Sequence, residues 1–484
     1  MFRTTRPSVA FAAVALSVAS FSTLQSLLVP VLPMIQADLH TTPEATTWTL
    51  TAWLITAAVA TPVLGRVGDL AGKRRTMLVA LAAITLGSVI AALAPTIGVL
   101  IGARVLQGLG GAIFPLAYGI LRDALPAERV PSAIGATSAV LAIGSGMGIV
   151  LAGPLSLVVG WRGLFLVPIV LVVVGAALVV IGVPESRGHA PGRISASSAL
   201  LLSAWLVALM LPLSSGARWG WTAPSTLGLL ALAIVLLVLW VRHEARSDSP
   251  LVDMRLMRRR AIWTTNLASL LIGASMFGVF AFLPRFVQTP ASSGYGFGES
   301  IQSSGLIMLP MLVMMAVAGF SSGPLTRVLP MRGQLGVGAL LIAGSAAAMG
   351  LFHHAPWQVV TAGATFGLGL GIAYAAMTTL VVAAVPASQT GIATGMNTNL
   401  RTIGGALGSA VMSSLVFGSL DPAGLPLEPG YTAAFLVLAV LALGAGVVAL
   451  GLRVPAYETQ PARGTELDQR EGVTQPVSAQ ALVA

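Results

Sequence analysis

Residues 65–76, GRVGDLAGKRRT, crowd Arg66, Asp69, Lys73, Arg74 and Arg75 into a chain of 484 residues of which only 9% are charged. One acid among four bases has two physical uses. Asp69 and Lys73 stand four apart, so they pair if the segment is helical. A carboxylate at a helix N-terminus also satisfies free N–H groups and complements the dipole. Both uses are clasps, not covalent chemistry. Two more charges, Arg104 and Arg401, sit inside long apolar runs, where a cation must find a polar partner or a ligand. Gln107 and Gly108 lie one turn beyond Arg104, and Asn397 and Thr398 lie one turn before Arg401. The sixteen acids and five histidines fall at the ends of the apolar runs or between them, and there is no cysteine. No nucleophile–base pair, carboxylate dyad or metal-ligand set forms from that distribution, and no glycine-rich phosphate loop followed by Lys-Ser/Thr occurs. Neither an enzyme activity nor a metal, nucleotide or other cofactor is expected.

The elements that must position these residues follow from composition. With 56% hydrophobic residues and a mean hydropathy of +0.90, the chain cannot cover a water-exposed surface. A soluble domain carries roughly 25% charged residues. Runs of about 20 apolar residues cross a bilayer core as helices. Fourteen are read: 9–32, 47–64, 77–94, 97–120, 133–158, 163–183, 197–213, 224–241, 262–283, 302–322, 335–352, 358–385, 391–417 and 431–452. The predicted class is an all-α integral membrane protein. The first run is too long for a signal-peptide core, so an uncleaved first span is expected.

With the N-terminus inside, only Arg162, Arg218 and Arg285 fall in outer segments, and Arg104 and Arg401 fall within spans. The other 21 of the 26 basic residues are cytoplasmic. That excess predicts a cell membrane protein (plasma or inner membrane) with both termini in the cytoplasm. It also accounts for the net charge of +10 without a nucleic-acid surface. MRLMRRR (254–260) reads as an anchor to anionic lipid headgroups, and 456–484 as a disordered tail.

The chain repeats itself. Residues 126–148 align without gaps on 386–408, with seven of 23 positions identical, among them Gly135/Gly395, Gly144/Gly404 and Gly148/Gly408. The offset of 260 residues pairs spans 1–6 with spans 9–14 and leaves 7 and 8 as an insertion. The expected organisation is a six-helix half over 1–183, inserted helices with their linkers over 184–261, a second half over 262–455 and the tail. Two similar halves imply a transporter that rocks about a central site.

GRVGDLAGKRR resembles the loop 2–3 signature of the major facilitator superfamily through Gly65, Asp69, Gly72, Lys73 and Arg74, with Leu70 where a base is usual. RVLQGLGG (104–111) resembles its span 4 motif through Arg104, Gln107 and Gly108. GSGMGIVLAGP (144–154) is similar to the span 5 motif that marks antiporters, through Gly144, Gly148, Gly153 and Pro154. As a set they resemble the 14-span drug:proton antiporter branch over nearly the whole chain. The resemblance implies export of an amphipathic small molecule by alternating access, with protons as partners. It implies that Asp69 caps a helix of the opposite half near Gly391 as a gating latch, and that the span 5 glycines seal against that half. For Arg104 it implies a part in proton transfer, beside the alternative of a structural bond to span 1 at Gln25. Small residues let helices approach closely, and Pro154 is expected to bend span 5 near its outer end. The second-half loop GPLTRVLPMRG (323–333) keeps Arg327 and Arg332 but has no acid, so the latch is asymmetric.

The interior departs from the branch. Its first span often holds an acid, and here STLQSLLVPVLP places Gln25 there. An exporter of anionic or neutral metabolites, without coupling through an intramembrane carboxylate, therefore stays open, and the rim acids Asp38, Glu44 and Glu299 become candidates for proton binding. Arg401 either binds an anionic or polar substrate group or bonds carbonyls and polar side chains across the interface between halves. Trp53, Phe114, Tyr118, Phe277, Tyr374 and Met377 are candidates to line the cavity, with Gln25, Asn397 and Arg401. GYGFG in the outer loop 282–300 follows no strand and is not a nucleotide fingerprint.

Overall fold

Helix starts are marked in the sequence. Thr42, Thr96, Ser195 and Ser300 each accept a first-turn backbone N–H, and Pro43, Pro224 and Pro356 occupy first helical positions, where a missing N–H costs nothing. The computed structural model describes residues 7–185, 195–247, 250–422 and 424–451. The expected tail lies outside them.

Among the described residues there is no strand, and fourteen long helices carry the fold. They are α1 (Pro7–Leu27), α2 (Pro43–Ala71), α3 (Lys73–Ala92), α4 (Ile97–Ala124), α5 (Val130–Gly163), α6 (Val167–Gly182) and α7 (Ala196–Trp219). There follow α8 (Pro224–Arg246), α9 (Arg260–Gln288), α10 (Ile301–Leu325), α11 (Met331–Leu351), α12 (Pro356–Ala384), α13 (Thr390–Val416) and α14 (Glu428–Leu450). Twelve segments are long and apolar enough to cross a membrane alone, or thirteen if the end of α5 and α6, bent by 79°, count as one span. The expected fourteen are thus met as helices but not all by apolar length. α6 has 16 residues, and α13 interrupts its 27 with Asn397, Thr398, Asn399, Arg401 and Thr402.

In apolar surroundings a hydroxyl without water must satisfy itself on its own helix. Ser17 bonds the Ala13 carbonyl, Thr61 the Ala57 carbonyl and Thr394 the Thr390 carbonyl in this way. The break in α5 is not at Pro154, which stays helical. It is at Gly160, whose φ of +67° is open to glycine at little cost.

Two cores form, one mostly from the first six helices and one mostly from the last six. One gathers Phe21, Met77, Leu81, Ile84 and Leu116 from α1, α3 and α4. The other gathers Phe286, Met311, Leu335, Phe366 and Phe435 from α9, α10, α11, α12 and α14. The repeat is visible in detail: the 3₁₀ turns Ala127–Arg129 and Ala387–Gln389, each after an extended proline, lead into α5 and α13. The inserted hairpin is not peripheral. Leu202, Trp205 and Leu206 of α7 and Trp240 of α8 pack with Ile392, Met396 and Ile403 of α13, and with Ile55, Val59 and Val63 of α2. It covers the seam where the halves meet.

Candidate functional site

At one end of that seam α13 starts at Thr390, and its N-cap residue, Gln389, makes no side-chain capping bond. Four N–H groups at a helix start need partners. Asp69, near the end of α2 and buried, supplies two of them from the other half: Oδ1 accepts the Gly391 N–H and Oδ2 the Ile392 N–H, both at 3.1 Å. The backbones must be close for this. A Cβ on Gly65 would lie 2.7 Å from the Gly391 carbonyl oxygen, so glycine is required at the crossing. Arg122 of α4 adds a second tie, donating from Nη1 to Thr390 Oγ1 at 2.7 Å. A carboxylate on a helix start is worth about 1–2 kcal/mol. That is enough to favour the seam in this arrangement.

The expected Asp69–Lys73 helical pair does not form. Gly72, with φ +108°, separates α2 from α3, and Lys73 turns to Asp123 at 2.7 Å with its stem over Gly119. Arg74 donates to the Val180 carbonyl at 2.9 Å. In the second half the equivalent crossing brings Gly323 against Ser132 without an acid. Sequence reasoning did not single out Arg122, Asp123 or Thr390; an Arg-Asp pair at the end of an apolar run was their one signal.

Arg104, fully buried, donates from Nε to the Thr49 carbonyl at 3.1 Å and from Nη1 to Gln107 Oε1 at 2.7 Å. Gln107 passes the chain on to Ser88 Oγ at 3.0 Å. Gln25 is not among these partners, so the bonds shown for Arg104 run to the second span and along its own helix, and the alternative of a bond to the first span is not met. Gly108 fits against Thr56 and the Trp53 carbonyl, where a Cβ would come within 2.9 Å of the oxygen.

Between the halves lies a cavity of about 150 Å³. Phe21 and Gln25 of α1, Trp53 of α2, Phe114 of α4 and Ser145 of α5 form one wall. Phe277 and Phe280 of α9, Met315 of α10, Tyr374 of α12 and Thr398, Arg401 and Thr402 of α13 form the other. Arg401 Nη2 donates to the Tyr374 hydroxyl at 2.7 Å, and its guanidinium stands 4.1 Å from the centre of that ring.

Three candidates lie elsewhere. Met377 is buried under Ser269, whose hydroxyl reaches its sulfur at 3.2 Å. Asn397 ties α13 to α9 through Asn266 at 2.9 Å and Ser269 at 2.7 Å. Tyr118 is enclosed in the first core. Phe21 and Phe280, missed in the sequence, complete the aromatic lining; helices that are apolar all round do not show which face turns inward.

The antiporter-motif glycines have a different partner from the expected one. Gly144 and Gly148 seat α5 on α1 of the same half, with a Cβ on either coming within about 3 Å of the Ala19 or Thr23 carbonyl. Gly153 faces open space, and it is Gly135 and Gly146 that meet Gly319 and Leu312 across the seam.

At the opposite end Asp38 accepts from Trp161 Nε1 at 3.1 Å and pairs with Arg162. Those two donors hold its carboxyl below the usual carboxylate range. The Glu44 side chain lies outside what the structure describes, and Glu299 sits in the loop before α10, its N–H bonded to the Val287 carbonyl at 3.1 Å. That loop is fastened down: Tyr295 packs at a tilt beside Phe286 and Tyr431 and donates to the Pro426 carbonyl, while nearby His353 meets Glu428 at 2.8 Å.

Two pseudo-equivalent helical halves, clasped at one end around a central cavity, define a multi-pass membrane transporter. The model of the Major Facilitator Superfamily matches residues 14–409, and the chain belongs to that family. It is 30% identical over 390 residues to the tetracenomycin C resistance and export protein of Streptomyces glaucescens, covering 79% of this chain and 71% of that one. The multidrug resistance protein B homolog of Mycobacterium tuberculosis is 29% identical over 394 residues, 78% of this chain and 71% of that one. The crystal structure of the human organic anion transporter MFSD10 (TETRAN) shares the fold, with a TM-score of 0.62 at 16% identity over 92% of this chain and 98% of that one.

Proposed function

We propose that the protein is a secondary exporter of amphipathic small molecules, drugs and antibiotics among them, that works by alternating access and takes protons in exchange. Residues 1–183 and 262–455 are the moving halves, and 184–261 the insertion. The carrying observation is the pairing of a clasp, Asp69 on the start of α13, with an aromatic cavity between the same halves. Two relatives named for resistance and export support the drug-like cargo. The skew of basic residues supports placing the clasp on the cytoplasmic face of the cell membrane, both termini inside, with exposed apolar residues such as Leu157 and Val158 against lipid.

Pockets for drug-sized ligands measure roughly 300–1,000 Å³. The cavity is smaller, so loading requires the halves to part at the Asp69 end. No Asp or Glu lines the cavity among the described residues. Proton binding is therefore assigned to acids outside it, Asp69 at the clasp or Glu299 at the rim. Asp38, held ionised by Arg162 and Trp161, is a poor candidate.

The test is uptake into proteoliposomes under an imposed pH gradient, offering a lipophilic cation, a neutral drug and an amphipathic anion. Gradient-driven movement of at least one, lost in Asp69→Asn, is expected. If none of the three moves, the exporter reading fails; movement indifferent to the gradient removes the proton and leaves the exporter.

A further inference from the structure

Resting on that reading, we infer that the cavity selects organic anions: flat aromatic molecules carrying one carboxylate or an equally compact acidic group, seated against Arg401. Among the described residues that line the cavity, Arg401 is the only charged one. Its Nη2 is engaged by the Tyr374 hydroxyl at 2.7 Å and more weakly by Thr398 at 3.5 Å, and among the described residues no acid pairs with it. The remaining edge of the planar fork matches a carboxylate, which takes two parallel N–H bonds from a guanidinium.

A second cation reinforces the field. Arg104 lies behind the wall, 5.4 Å from the centre of the Trp53 ring, also without an acidic partner among the described residues. Its Nη2 and the indole N–H of Trp53 are both buried and unbonded. Two guanidiniums uncompensated by any carboxylate, in a site of low dielectric, attract an anion and repel a cation.

The aromatic walls do not reverse this preference. An organic cation would seek the faces of Trp53 and Tyr374. Those rings already hold Arg104 and Arg401 at 5.4 and 4.1 Å. Phe21 stacks on Trp53 with centroids 5.2 Å apart and meets Phe114 edge-on at 5.7 Å, and Phe277 and Phe280 face them from the other half. That slot fits a flat hydrocarbon body with its charge at one end.

Three probes share one ring system and differ in charge: 2-naphthoate, 2-naphthamide and 2-naphthylmethylammonium. Binding is measured by calorimetry on the full chain in lipid nanodiscs, and transport in proteoliposomes. The naphthoate is expected to bind at least about tenfold more tightly than the amide, the worth of a charge-assisted contact, and the ammonium most weakly. Arg401→Gln should bring the naphthoate down to the level of the amide while amide binding holds, which shows that the cavity is intact. Gln25→Glu, which puts an acid into the same cavity and leaves Arg401 in place, should reverse the order of naphthoate and ammonium. It decides the matter if Arg401→Gln fails to reach the membrane.

Equal binding of all three probes, binding of none, or an Arg401→Gln variant that loses amide and naphthoate alike would overturn the inference. Export of cations with naphthoate ignored would overturn it and leave the exporter standing. If no compound of any charge is moved, the exporter reading itself falls.

Discussion

Asp69 gives both oxygens to a helix other than its own, and a single atom exchange tests what that does. Asp69→Asn keeps one acceptor and removes the charge, weakening the clasp by about 0.3–1 kcal/mol, the worth of a charge at a helix start. The native chain has no cysteine, so a labelled pair introduced at the exposed Ala71 and Ala387 reports the seam cleanly. In the Asn variant the distance between the labels should lengthen or broaden; an unchanged distance would mean that the carboxylate is not the fastener. Asp38 carries the opposite expectation. With its folded pKa lowered, its bond to Arg162 is fully present above the ordinary carboxylate range and is lost only as pH falls through the lowered value. It takes up no proton near neutrality, so Asp38→Asn should leave the pH-gradient dependence of transport unchanged, as read by proteoliposome uptake. At this scale the sequence was partly legible. The resemblance pointed Asp69 towards Gly391, and the bonded N–H groups are those of Gly391 and Ile392. Counting by fours failed for Lys73 because the backbone turns at Gly72, and Arg122 could not be joined to Thr390 because 268 residues separate them.

The helix α13 combines a polar run, Asn397, Thr398, Asn399, Arg401 and Thr402, with a very close neighbour. A Cβ on Gly404 would lie 1.9 Å from the Leu270 carbonyl oxygen, one on Gly408 2.1 Å from that of Ala274, and one on Gly273 2.2 Å from that of Arg401. α9 and α13 therefore meet backbone to backbone, and Asn397 bonds across the same line. Gly404→Val should cost more than the ~1–3 kcal/mol of ordinary overpacking, because a carbonyl cannot move aside as a side chain can. Loss of monodisperse, heat-stable protein is expected, with Gly102→Ala, which meets nothing within 4 Å, as the silent control. A melting temperature unchanged by Gly404→Val would refute the close packing. Most helices were legible in the sequence as apolar runs, but their facing was not. A helix apolar on every side has no amphipathic stripe to read. That is why Met377 and Asn397 were expected in the cavity and Phe280 was not.

Across the whole molecule, the repeat that superposes α5 on α13 was readable as glycines and prolines 260 residues apart, and the two 3₁₀ turns keep that spacing. What composition could not show was the place of the insertion, since α7 packs on a seam assembled from residues near 55–63 and 392–403. The two crossings at the clasped end are related by the repeat, yet among the described residues only one carries a carboxylate, so the halves are held by the Asp69 and Arg122 ties at one crossing and by a neutral contact at the other. The acid-free cavity has an electrical consequence. A cell interior ~100 mV negative gives each departing negative charge about 2.3 kcal/mol, so a monoanion released from beside Arg401 leaves downhill in voltage, and a proton taken in exchange adds charge movement of the same sign. Export would then register as a current: naphthoate applied to the protein on a sensor-supported bilayer should produce a transient of the sign of moving negative charge, absent in Arg401→Gln. Electrical silence with transport intact would mean that a proton or another cation travels out with the anion.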